Sequence, residues 1–456
     1  MNVMTDIGAQ NLTQTLAEQA RTLRYDELPD DVRKLAGQCV LDYLACTLAG
    51  AKEELIEILL AEMLEHGGTP SATILGRQER LPALSAALVN GTASHALDFD
   101  DVNMAMTGHP SVVLLSALLP LAEERGSAAR DVLTAFVAGY ELQCRLGVLL
   151  APGHYNVLGF HATGTLGSFG AAAACAHLLG LNAEQFATAL GIAGTQAAGL
   201  KSMFGTMCKP LHAGKAAQNG LLAARLALRG FTSRDDVVEC VQGFARTHSP
   251  DFNPSAALAE PPGGFHIRNN LFKYHAACYM THAPIEAARK LREQYGLRPE
   301  QIARIKLSLD ETCDRVCNIP APRTGLEAKF SLRLTTAMAL AGIDTGGLGS
   351  YSEETAANPA LIALRDKVEF DFQSDRLNTI AQLEIRLTDG RTVAASHDSG
   401  VAASDVDEQG RRLVEKFMAL ASPVIGEAKA RDLVTQVNEL QSRDALQHIL
   451  QLCAAS

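Results

Sequence analysis

Residues 29–50 read PDDVRKLAGQCVLDYLACTLAG. Pro29 suits a helix start, because its missing N–H is not needed there and its φ is already set. Val32, Leu35, Ala36, Cys39, Val40, Tyr43 and Leu44 then recur at three- and four-residue steps until Gly50 closes the run. This is a helix with a broad apolar stripe that other helices must cover. Outward from it the pattern repeats over 53–65, 111–124, 129–146, 164–179, 183–193 and 214–229. Many of these segments are apolar nearly all round, as helices inside a large bundle are. Residues 11 to about 245 therefore read as helix after helix.

The texture changes after about residue 265. Ile305, Leu307 and Leu309 alternate with polar neighbours, as do Val368, Phe370 and Phe372. Residues 380–387 and 391–396 flank Asp389-Gly390, a hairpin signal. With helical patterns over 283–296 and 325–342, these strands predict a smaller α+β unit. Helical periodicity returns over 406–453. The expected fold is mainly α: a large all-helical domain from 1–267 and 398–456, with an α+β lid domain, 268–397, inserted between.

The chain has 456 residues, 47% hydrophobic and 20% charged, which fits a globular protein with a large core and excludes disorder. It has no Trp and 37 Gly, so small residues do much of the packing. Its net charge of −11, without a Lys/Arg run, argues against nucleic acid or an anionic membrane as partner. A small anion remains possible if a few cations converge. Residues 1–18 lack a basic segment followed by an apolar one, so no signal peptide is expected. The most apolar stretches, 111–122 and 170–181, are too short to span a bilayer. Ten scattered Cys without zinc spacing suit reduced thiols and a cytoplasmic location.

Chemistry-bearing residues gather in Gly-, Ser- and Pro-punctuated stretches. The first is NGTASHALDFDD, 90–101, followed by Gly108-His109-Pro110-Ser111. Asp98, Asp100 and Asp101 repel one another unless capped, paired or bound to a cation. A metal site, loop and helix capping, and a substrate-orienting carboxylate are all open readings. His109 precedes an apolar helix, where an anion is favoured and an imidazole can serve as acid or base. The second stretch is HATGTLGSFG, 161–170. Its glycines are not spaced for a dinucleotide and suit close helix packing, while His161 stands at the helix mouth. The third, MCKPLHAGKAA, 207–217, places Lys209, His212 and Lys215 at a helix opening, where cations are unfavourable unless they meet an anion. The fourth, FKYHAACYMTH, 272–282, repeats the theme with Lys273 and His275. Together they predict a pocket of imidazole and ammonium groups for a small di- or tricarboxylate, stabilising a carbanion as an α-proton leaves.

These segments, with Ala328-Lys329-Phe330-Ser331-Leu332, make the chain resemble the 2-methylcitrate dehydratase and cis-aconitate decarboxylase family along nearly its whole length. The resemblance implies a homodimer and no metal, nucleotide or iron–sulfur cofactor. It implies proton handling by His109 and His161, substrate carboxylates held by Lys209 and Lys273, and Asp98 orienting a His or Lys. His212, His275 and Arg333 are expected to add substrate contacts. Three positions depart from the family. Val102 stands where decarboxylase-like members carry a hydroxyl, and Arg333-Leu334 replace the Pro-Tyr of AKFSLPY. The expected activity is accordingly a cofactor-independent hydro-lyase on a 2-methylcitrate-like acid. A dicarboxylate isomerase or epimerase is the alternative, ahead of cis-aconitate decarboxylase or a non-catalytic carboxylate-binding protein.

Overall fold

The structure is a computed structural model and describes residues 11–440 and 446–455. The part of the signal-peptide reading that rests on residues 1–10 lies outside them, as do residues 441–445 of the C-terminal helical stretch. The described chain is mainly α-helical and divides into two compact units, one of 1–272 with 404–456 and one of 273–403.

In the first unit the helices are α1 (Leu12–Thr22), α2 (Asp30–Gly50), α3 (Glu54–His66), α4 (Ala83–His95), α5 (Pro110–Arg125), α6 (Ala129–Leu150), α7 (Gly153–Asn156), α8 (Ala162–Leu178), α9 (Ala183–Gly194) and α10 (Cys208–Leu228). The short α11 (Phe244–His248) and α12 (Pro254–Leu258) follow. After the second unit come α19 (Val406–Ile425), α20 (Glu427–Asn438) and α21 (Leu446–Leu452). α4, α5, α8 and α10 pack on one another, and nearly every residue of α5 and α8 is buried. α6 is long and apolar enough to cross a membrane, which the apolar-stretch reading missed, yet it is mostly buried within this unit, as a core helix is. Glycine makes the closest crossing possible. A Cβ on Gly91 of α4 would lie 2.6 Å from Cα of Gly214 in α10. The glycines of 164–170 act likewise: a Cβ on Gly167 would meet Val113 at 2.9 Å.

The all-helical expectation needs one correction. A two-stranded antiparallel ribbon, β1 (Ala72–Thr73) and β2 (Arg80–Leu81), belongs to this unit. Asn90 of α4 holds it, accepting from Leu75 N and donating to Thr73 O.

The second unit contains α13 (His282–Tyr295), β3 (Ile302–Asp310), α14 (Thr312–Cys317), α15 (Gly325–Ala328), α16 (Leu332–Leu340), α17 (Glu353–Ala357), α18 (Pro359–Arg365), β4 (Val368–Gln373), β5 (Ile380–Leu387) and β6 (Thr392–Asp398). Its sheet has the order β4-β3-β5-β6, with β3 parallel to β4 and antiparallel to β5, and β5 antiparallel to β6. Alternate residues Ile305, Leu307, Leu383 and Ile385 face a core shared with Ile285 and Leu291 of α13. The helix expected over 325–342 breaks at 329–331, because Ser331 turns its hydroxyl to cap α16 at Leu334 N.

The sequence pattern puts the domain switches after 267 and 397, whereas contacts put them after Phe272 and Ala403. Local bonds explain the difference. Arg268 grips Asp31 through two nitrogens, and Leu271 pairs with Val102 by backbone, so 268–272 stays with the first unit. Ser399 is tied to Thr379 and to the Tyr279 hydroxyl within the second.

Candidate active site

The C-terminus of α4 meets the N-termini of α5, α8 and α10 in the first unit. His95 is the last residue of α4, while His109 and His161 are the N-cap residues of α5 and α8. Lys209 is in the first turn of α10, which begins at Cys208, earlier than the pattern over 214–229 predicts. Pro210 fits there because the first N–H groups of a helix have no intrahelical acceptor. Thr163 in the first turn of α8 accepts from His109 N at 3.1 Å, locking two helix starts together. His161 N donates to Gly199 O at 3.0 Å. Helix N-termini present N–H groups and positive dipole ends, so their convergence favours an anion.

The three crowded carboxylates have three different partners. Asp100 is buried and receives His95 Nδ1 at 3.0 Å on both oxygens. His109 Nδ1 stands 2.9 Å from Asp100 Oδ2. Burial alone would raise the Asp100 carboxyl, but the charges and hydrogen bonds of His109 and His95 outweigh it and hold it well below the usual range. Asp98 is more exposed. Its Oδ1 lies 2.9 Å from Lys209 Nζ and 3.6 Å from His109 Nε2. Asp101 caps α5 by accepting from Ser111 N and Oγ. Burial, then the negative charge of Asp42, pushes Asp101 up to about 7.

The imidazoles cluster. The His95 ring lies edge-on to His109 at 4.5 Å and stacks toward His161 at 5.8 Å. His161 Nδ1 is 3.0 Å from His212 Nδ1, so one must donate and the other accept. Burial, with the charges of His95, Lys209, His109 and His212, holds His161 well below its ordinary range. Burial brings His95 to about 4, so it is neutral at pH 7. Phe204 closes one side, edge-on to His161 at 4.9 Å and 5.1 Å from Lys209 Nζ.

Asp98, His109, His161, Lys209 and His212 are thus brought together, as the stretches predict. His95 and Asp100 complete the group and were not among the expected site residues. Their signal was a His five residues before the middle of the acidic cluster. Lys215 lies outside it, exposed and bonded to Gln218. Three expected residues belong to the second unit. Lys273 is buried there. His275 does not have a free ring nitrogen for substrate, because Nε2 meets Glu286 at 3.0 Å and Nδ1 meets the Thr345 hydroxyl at 2.8 Å. Arg333 donates through one guanidinium nitrogen to Val368 O and stacks on Phe370, while its Nε meets no hydrogen-bond partner among the described residues.

His95, Asp98, Asp100 and His109 offer donor atoms all within 4.8 Å of one another, a set that could ligate a divalent ion. The same atoms are arranged for protons, since both Nδ1 atoms turn to Asp100 and the Lys209 ammonium sits on Asp98.

Comparison with known proteins matches nearly the whole chain to one family. The MmgE/PrpD N-terminal domain matches residues 14–257 and the MmgE/PrpD C-terminal domain matches 275–441. A human cis-aconitate decarboxylase is 30% identical over 450 residues, covering 95% of this chain and 92% of its own. The cis-aconitate decarboxylase of Aspergillus terreus (strain NIH 2624 / FGSC A1156) is 26% identical, covering 97% and 95%. A mitochondrial 2-methylcitrate dehydratase of Yarrowia lipolytica is 25% identical, covering 81% and 74%. With both domains matched in order along the chain, this protein belongs to the MmgE/PrpD family.

Proposed function

We propose that the chain is a lyase acting on a small tricarboxylate, and that its first activity is dehydration of a 2-methylcitrate-like acid. The observation that carries this reading is the run Asp100–His109–Asp98–Lys209 at three converging helix starts. Asp100 Oδ2 stands 2.9 Å from Nδ1 of His109, an ion-pair contact that turns this side of the ring inward and leaves Nε2 facing the substrate. Nε2 removes the proton on the carbon next to a substrate carboxylate. Lys209 and the helix N-termini bear the negative charge that spreads onto that carboxylate. The proton now on Nε2 of His109 passes to the β-hydroxyl, which leaves as water, while His161, held neutral and tied to His212, hydrogen-bonds the departing group. The C–H and C–O bonds break and a C=C bond forms.

The named decarboxylase relatives support a second reading. There the bond to a carboxylate breaks, carbon dioxide leaves, and His109, having taken a proton from water beforehand, gives it to the carbanion. Val102 and Leu334 rank it second, since they offer no hydroxyl where decarboxylase-like sequences have one. None of the relatives named above is an isomerase, and epimerisation is not carried further.

Incubation with 2-methylcitrate, citrate and cis-aconitate, following ultraviolet absorbance and carbon dioxide together, tests the proposal. Dehydration yields an absorbing unsaturated acid without gas, and His109→Gln lowers that rate by about 10²–10⁴. Carbon dioxide from cis-aconitate selects the second reading. No turnover of any of the three acids, or an undiminished His109→Gln, overturns both.

A further inference from the structure

Lys416 of α19 is among the buried charged side chains, in a segment far along the chain from every residue of the candidate site. Its Nζ donates to Asp42 Oδ1 of α2 at 2.6 Å and to Phe99 O at 2.7 Å. The same nitrogen lies 4.0 Å from the centre of the Phe99 ring. Phe99 is 1% exposed and stands between Asp98 and Asp100. The ammonium therefore holds both the carbonyl and the ring of the residue that separates the two site carboxylates.

That segment needs holding. It follows α4 without helix or strand geometry, and Asp98 has φ +51, a left-handed backbone that L-residues adopt at a cost. A buried ion pair is a weak source of stability, since well-packed apolar residues often serve as well or better. A cation whose second bond goes to the backbone of the Asp98–Asp100 segment does something an apolar pair cannot. Burial works against the ammonium, but the charges of Asp42 and Asp100 and the Asp42 hydrogen bond keep it protonated.

We infer that Lys416 is a positioning residue: by binding the Phe99 carbonyl it sets Asp100 against His109 and Asp98 against Lys209, so the C-terminal return of the chain completes the site. The kinetic part rests on the lyase reading above.

The test compares Lys416→Met, Lys416→Met/Asp42→Leu and Lys416→Arg with wild type in the full chain. Lys416→Met is expected to lower the melting temperature, because it strands the Asp42 carboxylate. The double variant removes that charge and regains the melting temperature. Its kcat nevertheless stays down about a hundredfold, the cost of a small misplacement of reacting groups, with KM near the wild-type value. Lys416→Arg, which can still donate to both acceptors, recovers part of kcat. The second readout is the backbone amide nuclear magnetic resonance signal of Asp100, whose N–H belongs to the same peptide unit as the Phe99 carbonyl. It is expected to shift in the double variant, because that carbonyl has lost its Lys416 donor, and to return toward wild type in Lys416→Arg. If the double variant regains kcat along with stability, or its Asp100 amide signal matches wild type, the inference is overturned. If wild type turns over none of the acids, the lyase reading fails, and the amide signal still decides the role of Lys416.

Discussion

Asp100 shows how one buried carboxylate gives two histidines different tasks. Both Nδ1 atoms turn to it, but His95 is sealed in, with Nε2 meeting no hydrogen-bond partner among the described residues, while His109 opens toward Asp98. The sequence made His109, His161, Lys209 and His212 legible because Gly, Ser or Pro punctuates their helix starts, and Asp98 because it belongs to a cluster of three carboxylates. His95 and Asp100 were harder to read, since their role depends on the end of one helix meeting the start of another. His275 carried a similar local signal and Arg333 stood out as a departure from the family pattern, yet Glu286 and Thr345 engage the one and Val368 the other. Elsewhere, His154 donates through Nδ1 to His248 O and accepts from the Thr165 hydroxyl at Nε2, and burial brings it to about 4. The unfolded chain takes up a proton at this residue below about 6.5 that the folded chain refuses until about 4. Its share of stability is thus complete above about 6.5 and falls as pH drops toward 4. Asp101 and Glu141, raised to about 7 chiefly by burial, act in the opposite sense, so a single-residue comparison is needed. The gap in urea midpoint between wild type and His154→Gln is expected to narrow from about pH 7 to about pH 5. A gap independent of pH would show that His154 does not stay neutral.

Among the elements, the crossing of α4 and α10 matters most, because α4 ends at His95 and α10 starts beside Lys209. A Cβ at Gly214 would press on Leu88 O and on Thr92, whose N is 2.9 Å away. Gly214→Ala is expected to cost about 1–3 kcal/mol, the usual range for overpacking, read from denaturant unfolding. A neutral result would mean that the helices separate easily. Helical periodicity revealed α2, α5, α6, α8 and α9 because each buries a broad face. It placed the start of α10 late, since Lys209, Pro210 and His212 interrupt the apolar pattern for the sake of the site. It also ran through the 329–331 break, where a single hydroxyl cap restarts the helix.

At the scale of the molecule, each unit has its own interior. Residues 273–403 close a core of Ile305, Leu307, Leu383, Ile385 and Leu291 beneath α13. Expressed alone, they are expected to give a mixed helix and sheet circular dichroism spectrum and a cooperative melt. Residues 1–272 alone are expected to aggregate, since α2 loses its cover from α19 and Asp42 loses Lys416. Size-exclusion chromatography of both fragments checks this. The change from unbroken helices to alternating strands made the two units visible in the sequence. Their limits were displaced because side-chain and backbone pairs such as Arg268–Asp31 and Leu271–Val102 leave no trace in periodicity.

The arrival of α19 after the second unit governs how the protein can be made. A ribosome delivers the two histidine N-caps, the acidic turn and the whole of the intervening unit before it delivers Lys416. The nascent first unit must therefore wait, the α2 face that α19 covers still bare, while the later unit matures. Translation speed and chaperone occupancy over that interval would then decide how many copies reach the native state.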